Sequence, residues 1–354
     1  MHILPQRNSL VAQTSMILRS GIMAGEWQGV LPGELELCRR LQVSRVTLRG
    51  ALASLEKEGL LSVSQGRRRA IKGIPQKTKH ISTILKNVVL LSPVPHAQLT
   101  AGKLLWIDEL REQLAGHGLP LEFLVSASAT SIRPGRVLQE LTSRHSSAAW
   151  VLLRSTIPMQ RWFEEKGVPV VVAGSLFDGI ELPSVDTDYF SACRHAAGRL
   201  IARGATQLAI LAPQQILAGD IESEAGFRKG AGSHPVTMIR HDSSADGLCR
   251  ALDAAMQGAT APDGIIAFHS SHATTALGQL LRRGWTLPER VRLISRDDDP
   301  FLEHIVPRLA RYSVSPEGYA RQITRIILRH VAGDHSTGAK TLILPKFVSG
   351  ETAE

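Results

Sequence analysis

Three cysteines in 354 residues, Cys38, Cys193 and Cys249, are too few and too scattered for a disulfide framework or a zinc site. They suit reduced core thiols, so the expected location is the cytoplasm. No apolar run approaches the roughly 18 residues that a membrane-crossing helix needs. Polar Gln6, Arg7 and Asn8 interrupt any secretory-signal pattern at the start of the chain. Catalytic signatures are scarce too. The first strand-like run after residue 87 leads into Leu91-Ser92-Pro93-Val94-Pro95, with no glycine to cradle a phosphate. There is no G-x-S-x-G elbow. His269 and His272 are three apart, whereas a helical zinc pair uses a spacing of four with a nearby glutamate. Asp297, Asp298 and Asp299 are adjacent carboxylates at a strand end, an arrangement more common in loops than in cation sites. The chain is therefore expected to be no enzyme and to need no cofactor or metal. A metal-dependent hydrolase stays as the weak alternative.

Charge is plentiful but unevenly placed. The chain is formally +9, and residues 1–79 alone carry +8, leaving +1 for the other 275. A small basic head on a neutral body is what a polyanion-binding module looks like. A membrane-surface helix would need basic and large apolar faces. The first helical segment, from Leu10 to Met23, has only Arg19 as a basic residue. No membrane partner is expected.

Within the head, Leu37, Leu41 and Val43 give a short apolar stripe, and a turn follows at Gln42 and Val43. Ser44 stands at the N-cap position of a second helix, whose buried face is read as Val46, Leu48, Leu52 and Leu55, with Ala51 allowing close approach. Arg45 and Arg49, four apart, share an exposed face. Two guanidinium groups there suit guanine O6 and N7 in a major groove. Thr47 lies between them for phosphate or a thymine methyl. Gly59 ends the helix, Leu60, Leu61 and Val63 form a strand, and Gln65-Gly66 turns into Arg67, Arg68 and Arg69. Helix, strand, basic turn and strand describe a winged helix.

These residues resemble the GntR-type winged-helix domain over roughly residues 8–72. The match runs through Gly25, Leu31-Pro32, Glu34, Glu36-Leu37, Val43-Ser44-Arg45, Thr47, Arg49 and Ala51-Leu52. It continues through Leu55-Glu56, Glu58-Gly59-Leu60 and Gln65-Gly66. The resemblance implies double-stranded DNA as partner. Two departures stand out: Leu35 replaces an arginine that reaches DNA in many members, and the wing has three consecutive arginines. Arg39 and Arg40, on the same helix as Leu35, are the nearby phosphate candidates.

Residues 74–86 read as a polar linker between a head at 1–73 and a body at 87–354. In the body, apolar strands at 88–92, 121–125, 148–153, 169–173, 208–212, 236–240, 264–268 and 291–295 alternate with amphipathic helices. Continuous apolar strands separated by helices predict parallel sheets covered on both faces, an α/β fold.

Four stretches in order resemble the LacI/GalR-type sensor body: Ser184 to Leu211, AGFRKG at 225–230, residues 262–300, and Ser313-Val314 with Pro316 and Tyr319-Ala320. The resemblance implies a two-lobed, periplasmic-binding-protein-like domain with three crossovers and a ligand cleft. By position it places cleft contacts at Ser223, His269, Ser270, Asp297 and Ser315. Only Asp297 keeps the usual residue type. Ser223 stands where the family has an arginine, and that loss predicts a pocket without a cation for acidic ligands. The combined expectation is a homodimeric regulator, a repressor, that binds an operator and responds to a small-molecule effector. A body without ligand, kept for dimerisation, is the alternative.

Overall fold

The computed structural model describes residues 10–23, 27, 29–57, 60–62, 69–71, 85–258, 260–334 and 338–354. The chain divides into two compact units, Met1–Ser82 and Thr83–Glu354.

The first unit contains helices α1 (Leu10–Met23), α2 (Glu34–Leu41) and α3 (Arg45–Lys57), then strands β1 (Leu61–Ser62) and β2 (Ala70–Ile71). Gln42 ends α2 in the left-handed conformation, with its N–H returning to the Cys38 carbonyl. Ser44 starts α3 as expected: its hydroxyl oxygen accepts from the Thr47 N–H at 3.1 Å. Leu48, Ala51, Leu52 and Leu55, spaced to fall on one helical stripe, are buried against Leu18, Ile22, Leu31 and Leu37. Val46 is off that stripe and is 83% exposed, which corrects its place in the expected buried face. β1 and β2 pair antiparallel, with Leu61 opposite Ile71. The turn between them, with Gln65, Gly66, Arg67 and Arg68, lies outside the described residues, as do residues 74–84 of the expected linker.

The second unit holds two six-stranded sheets. The first lobe is built from β3 (Asn87–Ser92), β4 (Leu121–Val125), β5 (Ala148–Leu153), β6 (Val170–Ala173) and β7 (Ser184–Thr187), with helices α4 (Ala101–Ala115), α5 (Gly135–Arg144) and α6 (Ile157–Lys166). After α7 (Tyr189–Ala202), the second lobe adds β8 (Leu208–Pro213), α8 (Ala218–Ala231), β9 (Val236–His241) and α9 (Ala245–Gln257). It continues with β10 (Gly264–Ala267), α10 (Ser270–Arg282), β11 (Arg292–Ser295) and β12 (Ala310–Ser313). The chain then returns: α11 (Pro316–Val331) packs on the first lobe beside α4, β13 (Lys340–Ile343) joins the first sheet, and β14 (Lys346–Val348) closes the second. The chain thus passes between lobes three times, after β7, after β12 and after β13. Every pairing is parallel except β12 with β14.

The inner strands are buried at nearly every position, because helices cover both faces of each sheet. Leu85, just ahead of β3, already belongs to the first lobe's core. The AGFRKG stretch has a packing reason. A side chain at Gly226 would meet the Phe190 carbonyl oxygen at 2.2 Å, and one at Gly230 the Arg194 oxygen at 2.3 Å. Glycine lets α8 lie directly on the backbone of α7.

Candidate DNA-binding face and ligand cleft

On α3 the exposed face carries Arg45, Val46 and Arg49 at the helix N-terminus, the end that reaches base edges in helix–turn–helix proteins. Arg49 is not loose. Its Nε donates to Glu34 Oε2 on α2 at 3.0 Å. The other Glu34 oxygen accepts from Arg69 Nη1 at 2.8 Å, and Arg69 Nε donates to Glu56 Oε1 at 2.5 Å. The bond from Arg69, and after it that from Arg49, hold the Glu34 carboxyl below its ordinary pKa despite partial burial. Arg69 therefore ties the base of the wing to α2 and α3. The Thr47 side chain is half-buried and bonds the Ser44 hydroxyl at 2.8 Å. On α2, Arg39 is exposed and Arg40 lies over the Trp27 ring at 5.4 Å; both border a shallow depression with Leu35 and Glu36.

In the second unit, the carboxyl ends of strands from both lobes open onto one cavity of about 610 Å³. That volume is ordinary for a small-molecule site. Its wall includes four of the five expected ligand residues: His269, Ser270, Asp297 and Ser315. Ser223 is a correction. It is fully buried behind the wall, donates to the Gly219 carbonyl at 2.6 Å, and accepts from Arg296 Nη1 at 2.9 Å. Ser315 has a second task as N-cap of α11, accepting from the Gly318 N–H at 3.1 Å.

Arg296 is a cleft residue that the sequence pattern did not single out. It is only 4% exposed, yet it lines the cavity at the end of β11. Nη1 donates to Asp220 Oδ1 at 2.8 Å and Nε to Asp297 Oδ1 at 3.0 Å. The guanidinium sits between the rings of Tyr189 and Phe268, at 4.4 and 4.6 Å. Burial opposes the charge on Asp297, but Arg296 and a 3.2 Å bond with His269 Nδ1 outweigh it and keep that carboxyl's pKa low. The cleft therefore does contain an arginine, supplied by β11 rather than by α8. An arginine directly ahead of three aspartates, at the end of an apolar strand, was the available signal.

Lys103 on α4 and Arg154 after β5 also line the cavity, so the expectation of a wall without cations fails. On the same lobe, burial pushes the Asp186 carboxyl up to about 6, even though Ser175 donates to one oxygen and the Thr187 N–H to the other. Beside Asp297, the rings of His241, His269 and His272 form a chain with centroids 4.4 and 5.0 Å apart. Burial, then the neighbouring imidazoles, lower the pKa of His272 to about 3. Among the described residues, no group of three or more His, Cys, Asp or Glu is placed to hold a metal ion. No described helix is long and apolar enough to cross a membrane.

Comparison with known proteins joins these two regions. Residues 10–71 match the bacterial regulatory proteins of the gntR family, and residues 197–353 match the periplasmic binding protein-like domain. The chain pairs a GntR-type helix–turn–helix domain with a periplasmic-binding-protein-like domain. It is 26% identical over 222 residues to the HTH-type transcriptional regulator CelR of Thermobifida fusca, across 60% of this chain and 65% of that one. To the HTH-type transcriptional regulator GntR of Pseudomonas aeruginosa it is 27% identical, across 49% and 52%. These matches span less than two thirds of either relative. A LacI family transcriptional regulator from Enterococcus faecium with bound ribose shares the fold over 76% of this chain and 98% of its own, with a TM-score of 0.62 at 16% identity.

Proposed function

We propose that the protein is a transcription regulator whose operator affinity is set by a small metabolite held in the cleft between the lobes. The observation that carries this reading is the coexistence of two built sites. One is an exposed Arg45/Val46/Arg49 face on a helix that follows a helix–turn, and the other is a cavity at the strand ends of two parallel sheets. The relatives named above are regulators, and the related fold from Enterococcus faecium holds ribose. Repression of transcription by a homodimer, with one winged helix on each half of a two-fold operator, completes the proposal. The effector acts only through different affinities for two states of the protein.

Genome-wide mapping of bound DNA tests this. A shared two-fold motif upstream of a few genes, released by a small-molecule cell extract, is the expected result. Binding spread without motif across the genome would reject the regulator reading. A motif whose binding no extract alters would point instead to a body kept for dimerisation.

A further inference from the structure

We infer that the cleft is built for a hydroxylated acid, a small molecule bearing one carboxylate or phosphate beside hydroxyl groups. The inference rests on the proposal that the cleft is the effector site. It starts from the hydrogen-bonding capacity that the wall leaves unused. The acids are mostly satisfied by the protein itself. Both oxygens of Asp186 accept bonds, from Ser175 and Thr187. Asp297 is held by Arg296 and His269, and Asp220 by Arg296 and the Leu217 N–H. Asp298 accepts from Arg311 Nε at 2.6 Å and from the Asp299 N–H at 2.8 Å.

The cations divide differently. Arg296 donates to Asp220, Ser223 and Asp297, but the side chains of Lys103 and Arg154 have no hydrogen-bonded acceptor among the described residues. Burial first, and then Arg154 and Arg296, lower the pKa of Lys103, against the pull of Asp297 and Asp186. Arg154 is held at φ 52°, in the left-handed region that a non-glycine residue seldom occupies. Residues held in that region cluster at ligand clamps, and Arg154 lines the cavity. A lysine and an arginine together present up to eight N–H donors and no acceptor. Their missing partner is an anion.

One acceptor is unmatched on the opposite lobe. Asp299 is 3% exposed and lines the cavity, and its Oδ1 has no donor, while Oδ2 lies 3.4 Å from the Gly102 N–H. Its charge keeps a second anion from that side of the cleft. The ligand that complements this wall has its negative group at Lys103 and Arg154 and its hydroxyls at the His269–Asp297 pair. Sugar acids and sugar phosphates share this chemistry. A neutral sugar leaves both cations unpaired.

Calorimetric titration of the full chain with glucose, glucuronate, glucose 6-phosphate and inorganic phosphate tests the inference, because the three sugars differ in the group at one carbon. One or both charged sugars should bind about tenfold or more tighter than glucose, the effect of a charge-assisted bond pair. Whichever of the two wins separates carboxylate from phosphate. In the Lys103→Met/Arg154→Met double variant that preference should vanish. Equal affinity for charged and neutral sugars, an undiminished preference in the variant, or no binding by any of the four probes would overturn it. Release of the operator by total metabolite extract reads the underlying sensor proposal separately. Release by extract with failure of every anionic probe removes the acid inference alone, whereas failure of both removes the effector site as well.

Discussion

Val46 stands at 83% exposure between two arginines at the start of α3, an apolar group that the described residues leave uncovered. In a major groove the partner for such a group is the 5-methyl of thymine, while arginines such as Arg45 and Arg49 are suited to guanine. Replacing thymine by uracil in a selected operator, one position at a time, should weaken the wild type at one position per half-site and leave Val46→Ser indifferent. Arg45→Ala or Arg49→Ala should each remove about 1–3 kcal/mol of discrimination between operator and mutated operator. Competition binding measures both effects, and unchanged preference in both arginine variants would remove α3 from the groove. Glu34 enters the same experiment as a positioning residue. With its carboxylate gone, Arg49 loses a fixed orientation while the DNA face gains positive charge. Glu34→Ala should therefore bind random DNA more tightly and discriminate less. A merely structural glutamate would lower both together.

At the scale of elements, periodicity located the body strands and helices because apolar runs and amphipathic stretches alternate cleanly there. The expected 88–92, 121–125 and 148–153 lie within or coincide with β3, β4 and β5. Helix starts are harder to read. The first turn of α4 is Ala101, Gly102 and Lys103, small or charged residues, two of which line the cleft, and they carry no apolar signal. The edge strands β13 and β14, four and three residues long and each opening on an exposed lysine, are too short to give an apolar run. Val46 is apolar yet lies off the helical phase of Leu48, Leu52 and Leu55, so residue type alone does not place it. In the cleft, Asp297 was legible through its family position. Arg296, Lys103 and Arg154 were not, since they come from three elements that meet only in the fold. The packing of α8 on α7 gives an element-scale prediction. Gly226→Ala sets a methyl against the Phe190 carbonyl, so the helices must part at a cost of roughly 1–3 kcal/mol or more. Thermal melting of the purified variant reads the loss, and an unchanged midpoint would mean that α8 does not lie on α7 this closely. The wing divides as well. Arg67→Ala/Arg68→Ala should flatten the dependence of log affinity on log salt by about 0.9 for each phosphate that the wing no longer neutralises. Arg69→Ala, by freeing Glu34 and Glu56, should chiefly lower the stability of the DNA-binding domain.

For the whole molecule, acid stability is a contest between groups at the cleft. His272 is held neutral by burial and by His269 and His241, with its pKa lowered from 6.5 to about 3, and burial lowers His241 in the same direction. The unfolded chain then binds more protons than the folded chain as pH falls from 6.5 toward 3. The stability these histidines contribute is complete above 6.5 and is lost through that window. Asp186 acts in the opposite sense. Burial raises its pKa from 3.8 to about 6, so the folded chain holds the extra proton between those values, and its penalty grows as pH rises toward 6. Asp297, kept low by Arg296, adds a loss only as pH drops below the ordinary carboxylate range. Two imidazoles against one carboxyl should make the melting temperature fall as pH is lowered from 7 to 4. His241→Gln/His272→Gln should flatten that fall. Asp186→Asn should steepen it, because the opposing contribution is removed, and should raise the midpoint near pH 7. Calorimetry across pH 4 to 8 distinguishes the three proteins. Equal slopes in the wild type and the histidine variant would mean that the imidazoles titrate alike in the folded and unfolded chain, and that the cleft wall is open to water at their depth.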